Sequence, residues 1–135
     1  MGQTLVILVD THVVMWTAFE GDRISQTATA VIADSRRNGE GLAISDISLL
    51  ELARLASEGR FRLYAGVEAF LQDVETRFVV LPMNARVCAR AMELPRSCPK
   101  DPADRIIVAT ALEKGLSLIT ADREIRRSKV VRTIW

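Results

Sequence analysis

Four acids in this sequence sit where apolar runs end or helical spacing begins. Asp10 closes the run LVILVD, Glu51 lies in SLLELA, Asp104 in DPADRIIVATA and Asp122 in LITAD. Like charges gathered within several Å repel, and a fold keeps them together when they share a dication or have raised pKa values. A ligand set made wholly of carboxylate oxygen suits Mg²⁺ or Mn²⁺ over zinc or copper. The matching chemistry is metal-assisted phosphodiester hydrolysis, in which the ion activates a water and neutralises charge on the in-line transition state. Thr11, Ser45 and Thr120 flank the same acids with hydroxyls that can orient them or a water.

Gathering four acids so far apart in sequence requires a particular fold. Thr4 to Val9 is a continuous apolar, β-branched run of strand length, as a strand covered on both faces requires. Similar runs recur at Leu42 to Ser45, Phe78 to Leu81, Leu116 to Ile119 and Val130 to Trp135. Helical spacing fills Ser25 to Arg37, Ile47 to Ser57, Ala65 to Thr76, Asn84 to Glu93 and Pro102 to Lys114. Alternation of strand and helix predicts a three-layer α/β/α sandwich around a central parallel sheet of about five strands. Ligands bind such sheets at the carboxyl ends of the strands, where the crossover helices also begin, and this edge is where the acids fall. Asp104 reaches it only if the chain returns there after the helix that ends at Glu93. Neither GxGxxG nor GxxxxGK[ST] follows the first strand, so nothing supports a dinucleotide fold or a P-loop.

The 135 residues, 49% of them hydrophobic, predict one domain over 1–135 that needs no metal or disulfide to hold its core. Lys and Arg number 18 and Asp and Glu 17, so no whole-molecule field announces a nucleic acid or a membrane. Setting the four acids aside leaves 18 minus 13, or +5, a mildly basic surround for a negative site. Cys88 and Cys98 show no metal or redox spacing and read as reduced thiols in a cytoplasmic protein. The first apolar run is too short to span a membrane and lacks the flanks of a signal peptide.

Each acid also has an ordinary structural role open to it. Ser48 and Glu51 spell a capping box, and Asp101 with Pro102 reads as an N-cap followed by proline at the first helical position. Asp104 fits a helix-dipole acid, and Asp122 a turn or cap before a short helix at Arg123 to Arg126. Asp10 has no cap to make unless a helix starts at once. His12, the one histidine, is either a general base or, as favoured here, a residue packed in the helix behind the strand. Trp16 and Phe19 share its helical spacing and read as core. Arg36 and Arg37 read as a solvated face, whereas Arg123, Arg126 and Arg127 follow Asp122 and can hold a phosphate backbone. No aromatic interleaves either cluster, which leaves base stacking unsupported.

LVDTHVVMW, ISDISLLELARLASEGRFRL, PKDPADRIIVATALEKGLSLITADREI and the closing VRTIW together resemble a PIN-domain ribonuclease, in particular the VapC-type toxin of type II toxin–antitoxin pairs. The resemblance covers nearly the whole chain, and four acids in order are more specific than any single motif. It implies that Asp10, Glu51, Asp104 and Asp122 form a Mg²⁺ or Mn²⁺ site, with Thr120 supporting it. It further implies endonucleolytic cleavage of RNA, homodimerisation, and inhibition by a VapB-type antitoxin that covers the site within a larger assembly. The sequence departs from the family at Leu50, where a tryptophan commonly precedes the glutamate. Asp101 also matches a frequent family residue and is assigned here to the cap.

Competing readings are a structure-specific DNA nuclease on the same fold, a phosphatase, a receiver-type signalling module and a non-catalytic binding module. A phosphatase with an aspartyl nucleophile would show D-x-D after the first strand, where this chain has Asp10, Thr11, His12. A receiver would want an acid after the third strand and a lysine by the last; Pro82 and the lysine-free Val131 to Trp135 stand there instead. The complete set of acids weighs against a purely binding module.

Overall fold

The structure, a computed structural model, describes residues 5–135. Thr4, which the sequence reading joins to the first strand, lies outside them. The elements run β1 (Leu5–Val9), α1 (Thr11–Phe19), a 3₁₀ turn (Gly21–Arg23), α2 (Gln26–Arg37), β2 (Gly41–Ser45), α3 (Ile47–Ser57), α4 (Val67–Arg77), β3 (Val79–Leu81), α5 (Ala85–Glu93), α6 (Pro102–Lys114), β4 (Ser117–Ile119), α7 (Arg123–Ser128) and β5 (Thr133–Ile134). All strand pairs are parallel, in the order β3-β2-β1-β4-β5, so the predicted five-stranded parallel sheet is present. Strict alternation is not: the β1–β2, β2–β3 and β3–β4 crossovers each carry two helices. The turn residues around Gly21, Gly59 to Gly66 and Pro95 to Pro99 break each connection in two.

The sheet is buried from both sides. Ile7 and Val9 pack with Leu42 and Ile44 beneath α1, α2, α3 and α4, while Leu8, between them in sequence, packs with Leu118 beneath α6 and α7. This two-residue period explains why β1 reads as continuously apolar: each successive side chain enters one core or the other. Central β1 pairs with β2 on one side and β4 on the other, and chain direction across the sheet reverses there. That arrangement leaves a crevice beyond the carboxyl end of β1.

Local signals set the helix ends. Ser25 accepts from the amide of Ala28 and Asn84 from that of Val87, so both residues cap helices that the periodicity had already included them in. Gly115 ends α6 with φ 65°, the left-handed conformation that a side chain disfavours, and its amide bonds back to the carbonyl of Leu112. The loop between α5 and α6 is held by one side chain. Arg105 donates from Nε to the carbonyl of Ala91 at 2.9 Å and from its two terminal nitrogens to Pro99 at 3.0 Å and Leu94 at 2.6 Å. These charge-assisted bonds return the chain to the edge, as the placement of Asp104 requires. Cys98 is buried, Cys88 is half-buried, and both are free thiols. No helix among the described residues is long and apolar enough to cross a membrane.

Candidate active site

Asp10 is the first residue past β1, and its amide donates to the carbonyl of Ile119 at 3.0 Å, extending the β1–β4 ladder by one step. A helix does start at once. Asp10 caps α1, its Oδ1 accepting from the amide of Thr11 at 2.8 Å. Its Oδ2 accepts from the hydroxyl of Thr120 at 2.7 Å, and Thr120 Oγ1 in turn accepts from the amide of Asp122 at 3.0 Å. A carboxylate 6% exposed is thereby fixed at both oxygens by residues from two strand ends.

Glu51 is not part of a capping box. Asp46 is the residue before α3, which puts Ser48 inside the first turn and Glu51 a turn further along. Glu51 Oε1 accepts from the hydroxyl of Thr11 at 2.6 Å. Ser48 Oγ lies 2.8 Å from the same Thr11 oxygen. A threonine hydroxyl has one proton, which goes to Glu51, so Ser48 must donate to Thr11. The buried chain from Ser48 through Thr11 to Glu51 ties α3 to α1. Sequence reasoning missed Ser48 because its spacing to Glu51 suggested backbone capping.

Asp101 caps α6 as expected, accepting from the amide of Asp104 at 3.1 Å with Pro102 at the first helical position. Asp122 caps α7 through the amide of Ile125 at 3.0 Å and also lines the crevice, so its structural and site roles coexist. Ser45 does not reach the acids; it is buried, and its oxygen accepts from the amide of Ile47 at 3.3 Å. His12 is not packed behind the strand either. It is exposed on the first turn of α1, facing the crevice, and Trp16 beside it is only half-buried.

The crevice encloses about 380 Å³ and is lined by Asp10, Glu51, Asp101, Asp104 and Asp122 together with His12, Trp16 and Arg54. Among the described residues none of these five acids forms an ion pair, and Arg54 is engaged by Glu58 at 3.1 Å. Burial pushes the Asp10 carboxyl up, against the hydrogen bonds from Thr120 and Thr11. Burial likewise raises Glu51, against its bond from Thr11 and with help from the charge on Asp10. Asp104 is pushed up to about 7 by burial and then by Asp10, Asp101, Asp122 and Glu51. A larger hollow of about 630 Å³ lies beside α5, but its Glu113 is paired with Arg90 at 2.7 Å. Uncompensated charge, and not volume, singles out the acidic crevice. Among the described residues no three His, Cys, Asp or Glu side chains stand close enough together to hold an ion by themselves. An ion there would keep part of its shell as water, as Mg²⁺ commonly does.

A PIN-domain family profile matches residues 7–130. The chain belongs to the PIN-domain family. This PIN domain is 38% identical over 131 residues to ribonuclease VapC22 of Mycobacterium tuberculosis, the match covering 96% of the chain and 98% of the relative. Its fold is similar to that in VapBC2 from Rickettsia felis bound to a promoter DNA fragment, with a TM-score of 0.72 and 16% identity over 95% and 96% of the two chains. DNA-bound VapBC from Salmonella typhimurium gives a TM-score of 0.70 and 24% identity over 96% and 97%. At these identities the solved structures speak for the PIN-like fold alone.

The double duty of Asp101 gives a testable consequence. Asp101→Ala should lower stability by about 1 kcal/mol in urea unfolding through loss of the α6 cap, while Asp101→Asn, which can still accept from the Asp104 amide, should retain most of it. Equal stability of the alanine variant and the wild type would remove the cap from the account.

Proposed function

We propose that this PIN domain, one unit over residues 1–135, is a metal-dependent endoribonuclease and the cytoplasmic toxin of a toxin–antitoxin pair. The single observation that carries the reading is the set of carboxylates lining one crevice, none of them in an ion pair among the described residues and the lining Arg54 engaged by Glu58, with three of the acids raised in pKa. The all-oxygen donor set fits Mg²⁺ or Mn²⁺, with Asp10, Glu51, Asp104 and Asp122 as the residues that would hold it. When bound, such an ion supplies Lewis-acid activation of a water and neutralises charge on the transferring phosphoryl group.

The chain's own residues supply orientation. Thr120 and the Thr11 amide hold the two oxygens of Asp10, so that carboxylate meets a ligand in one rotamer. Thr11 does the same for one oxygen of Glu51, a residue that also lines the crevice. Asp104 has no hydrogen bond to its carboxylate among the described residues, so it is free to accept from water or to take up a proton near neutrality. The likeness to ribonuclease VapC22 supports RNA as substrate. The VapBC assemblies sharing the fold make a VapB-type antitoxin the partner to seek, and the reading adds a homodimer of this chain as a proposal of its own.

The test is cleavage of total RNA by the purified chain. Cleavage is expected with Mg²⁺ or Mn²⁺ and should stop on chelation with EDTA and return when the ion is restored. Persistence after thorough chelation would remove the metal from the mechanism, and cleavage of DNA in preference to RNA would replace the substrate.

A further inference from the structure

We infer that His12 and Trp16 form a base-stacking wall along the acidic crevice, so that the substrate is taken as an unpaired strand with a nucleobase seated beside the scissile phosphate. The inference rests on the nuclease reading for its substrate class, but on a different part of the crevice for its geometry.

The observation is an aromatic series running into the site. His12 stands exposed at the crevice, its ring centroid 6.1 Å from that of Trp16 with the planes 54° apart. Trp16 is backed by Trp135 at 5.9 Å and 53°. Arg23 places its guanidinium carbon 5.8 Å from the centre of the Trp16 ring. The indole Nε1 of Trp16 is buried without a hydrogen-bond partner among the described residues, an unusual state for this group. Both Trp16 and His12 line the same 380 Å³ as the acids, so a phosphodiester resting against the carboxylates brings its flanking bases to the rings.

Electrostatics favours the same division of labour. The five carboxylates repel a polyanion, and the arginine in the crevice wall and the one beside Trp16 are engaged, Arg54 with Glu58 and Arg23 with Glu20. Attraction independent of backbone charge has to come from elsewhere, and every nucleobase offers an apolar face to an aromatic ring. In a duplex those faces are covered by neighbouring pairs, which makes an unpaired segment the form that fits. Base–aromatic stacking changes affinity by about 5- to 150-fold per base, the lower end suiting an exposed imidazole.

The chain has only two tryptophans, Trp16 and Trp135, and both belong to this series, so intrinsic fluorescence reports on it directly. The probe is a short single-stranded oligonucleotide with uncharged methylphosphonate linkages, titrated into the full chain. Saturable quenching is expected, with much weaker quenching by the same oligonucleotide in a duplex. His12→Ala should weaken binding about fivefold and raise KM for RNA with kcat nearly unchanged, while Trp16→Phe, which keeps an aromatic ring, should retain most of the affinity. Absence of quenching, equal quenching by the duplex, or wild-type binding by His12→Ala would overturn the wall whether or not RNA is cut. Quenching in a chain that cuts no RNA would leave the wall standing and sink the nuclease reading.

Discussion

Asp104→Asn should make the metal-free protein more stable at pH 8 by about 1–2 kcal/mol and at the same time reduce RNA cleavage by about 10³-fold. The stabilisation follows from the direction of the Asp104 shift. Its carboxyl titrates near 7 in the fold against 3.8 in the unfolded chain, because it is half-buried among Asp10, Asp101, Asp122 and Glu51. Between those two values the folded state binds more protons than the unfolded state, so stability falls as pH rises through the window, and the penalty is complete above about 7. Solvent screening of a partly exposed group keeps the gain well below the full linkage value. Asparagine removes the charge with nearly the same volume. Urea unfolding in EDTA should show the gain at pH 8 and its progressive disappearance as the pH is lowered towards 4. A variant no more stable than the wild type at pH 8 would mean that the acids do not repel as argued. The expected loss of cleavage comes from removing one carboxylate of the proposed ion-binding set, and opposite signs of the two effects would separate a site residue from a structural one.

The second large effect is expected for Asp10→Asn, where cleavage should also fall by about 10³-fold but stability should change by less than about 1 kcal/mol. Asparagine can keep one oxygen on the Thr11 amide as the α1 cap. Its other position becomes an NH₂ facing Thr120 Oγ1, which now donates to Asp10 and accepts from the Asp122 amide. The Thr120 hydroxyl must turn away and lose an acceptor, a cost of about 1 kcal/mol. Relief of a buried, desolvated charge offsets that cost. Thermal unfolding beside a cleavage assay checks both halves: a folded variant that cuts RNA at the wild-type rate would remove Asp10 from the site.

The elements were legible where one physical signal dominated. α6 begins and ends where Asp101, Pro102 and Gly115 place it, because those residues cap and stop a helix by distinct chemistry, whereas α3 follows its apolar periodicity without a side-chain cap. The strands were legible from their apolar runs, though β5 is only Thr133–Ile134, far shorter than the run from Val130 that announced it. The gathering of Asp10, Glu51, Asp104 and Asp122 at one crevice was legible because strand ends and the starts of crossover helices meet at the same edge of a parallel sheet. Partners across the crevice were not. Ser48 and Glu51 fit a local motif, and only the packing of α3 against α1 shows that their hydroxyl and carboxylate meet through Thr11. His12 and Trp16 carry the spacing of a core-facing stripe, which records that two residues share a helix face but not how far the sheet beneath extends. α1 begins at the sheet's edge, so its first turn overhangs, and residues that periodicity would bury are left at the crevice.

The bond from Thr120 to Asp10 joins residues 110 positions apart, and the ladder beside it pairs the first strand with the fourth. In chain order Asp10, Glu51 and Asp104 therefore all precede Thr120, whose hydroxyl holds the second oxygen of Asp10. Truncation ahead of Ser117 would remove the neighbouring strand, the threonine that orients Asp10 and the fourth acid together. Assembly of the site is thus coupled to β4 and the residues just beyond it: a chain that stops before Ser117 holds three of the four acids with neither the neighbouring strand nor Thr120 beside Asp10.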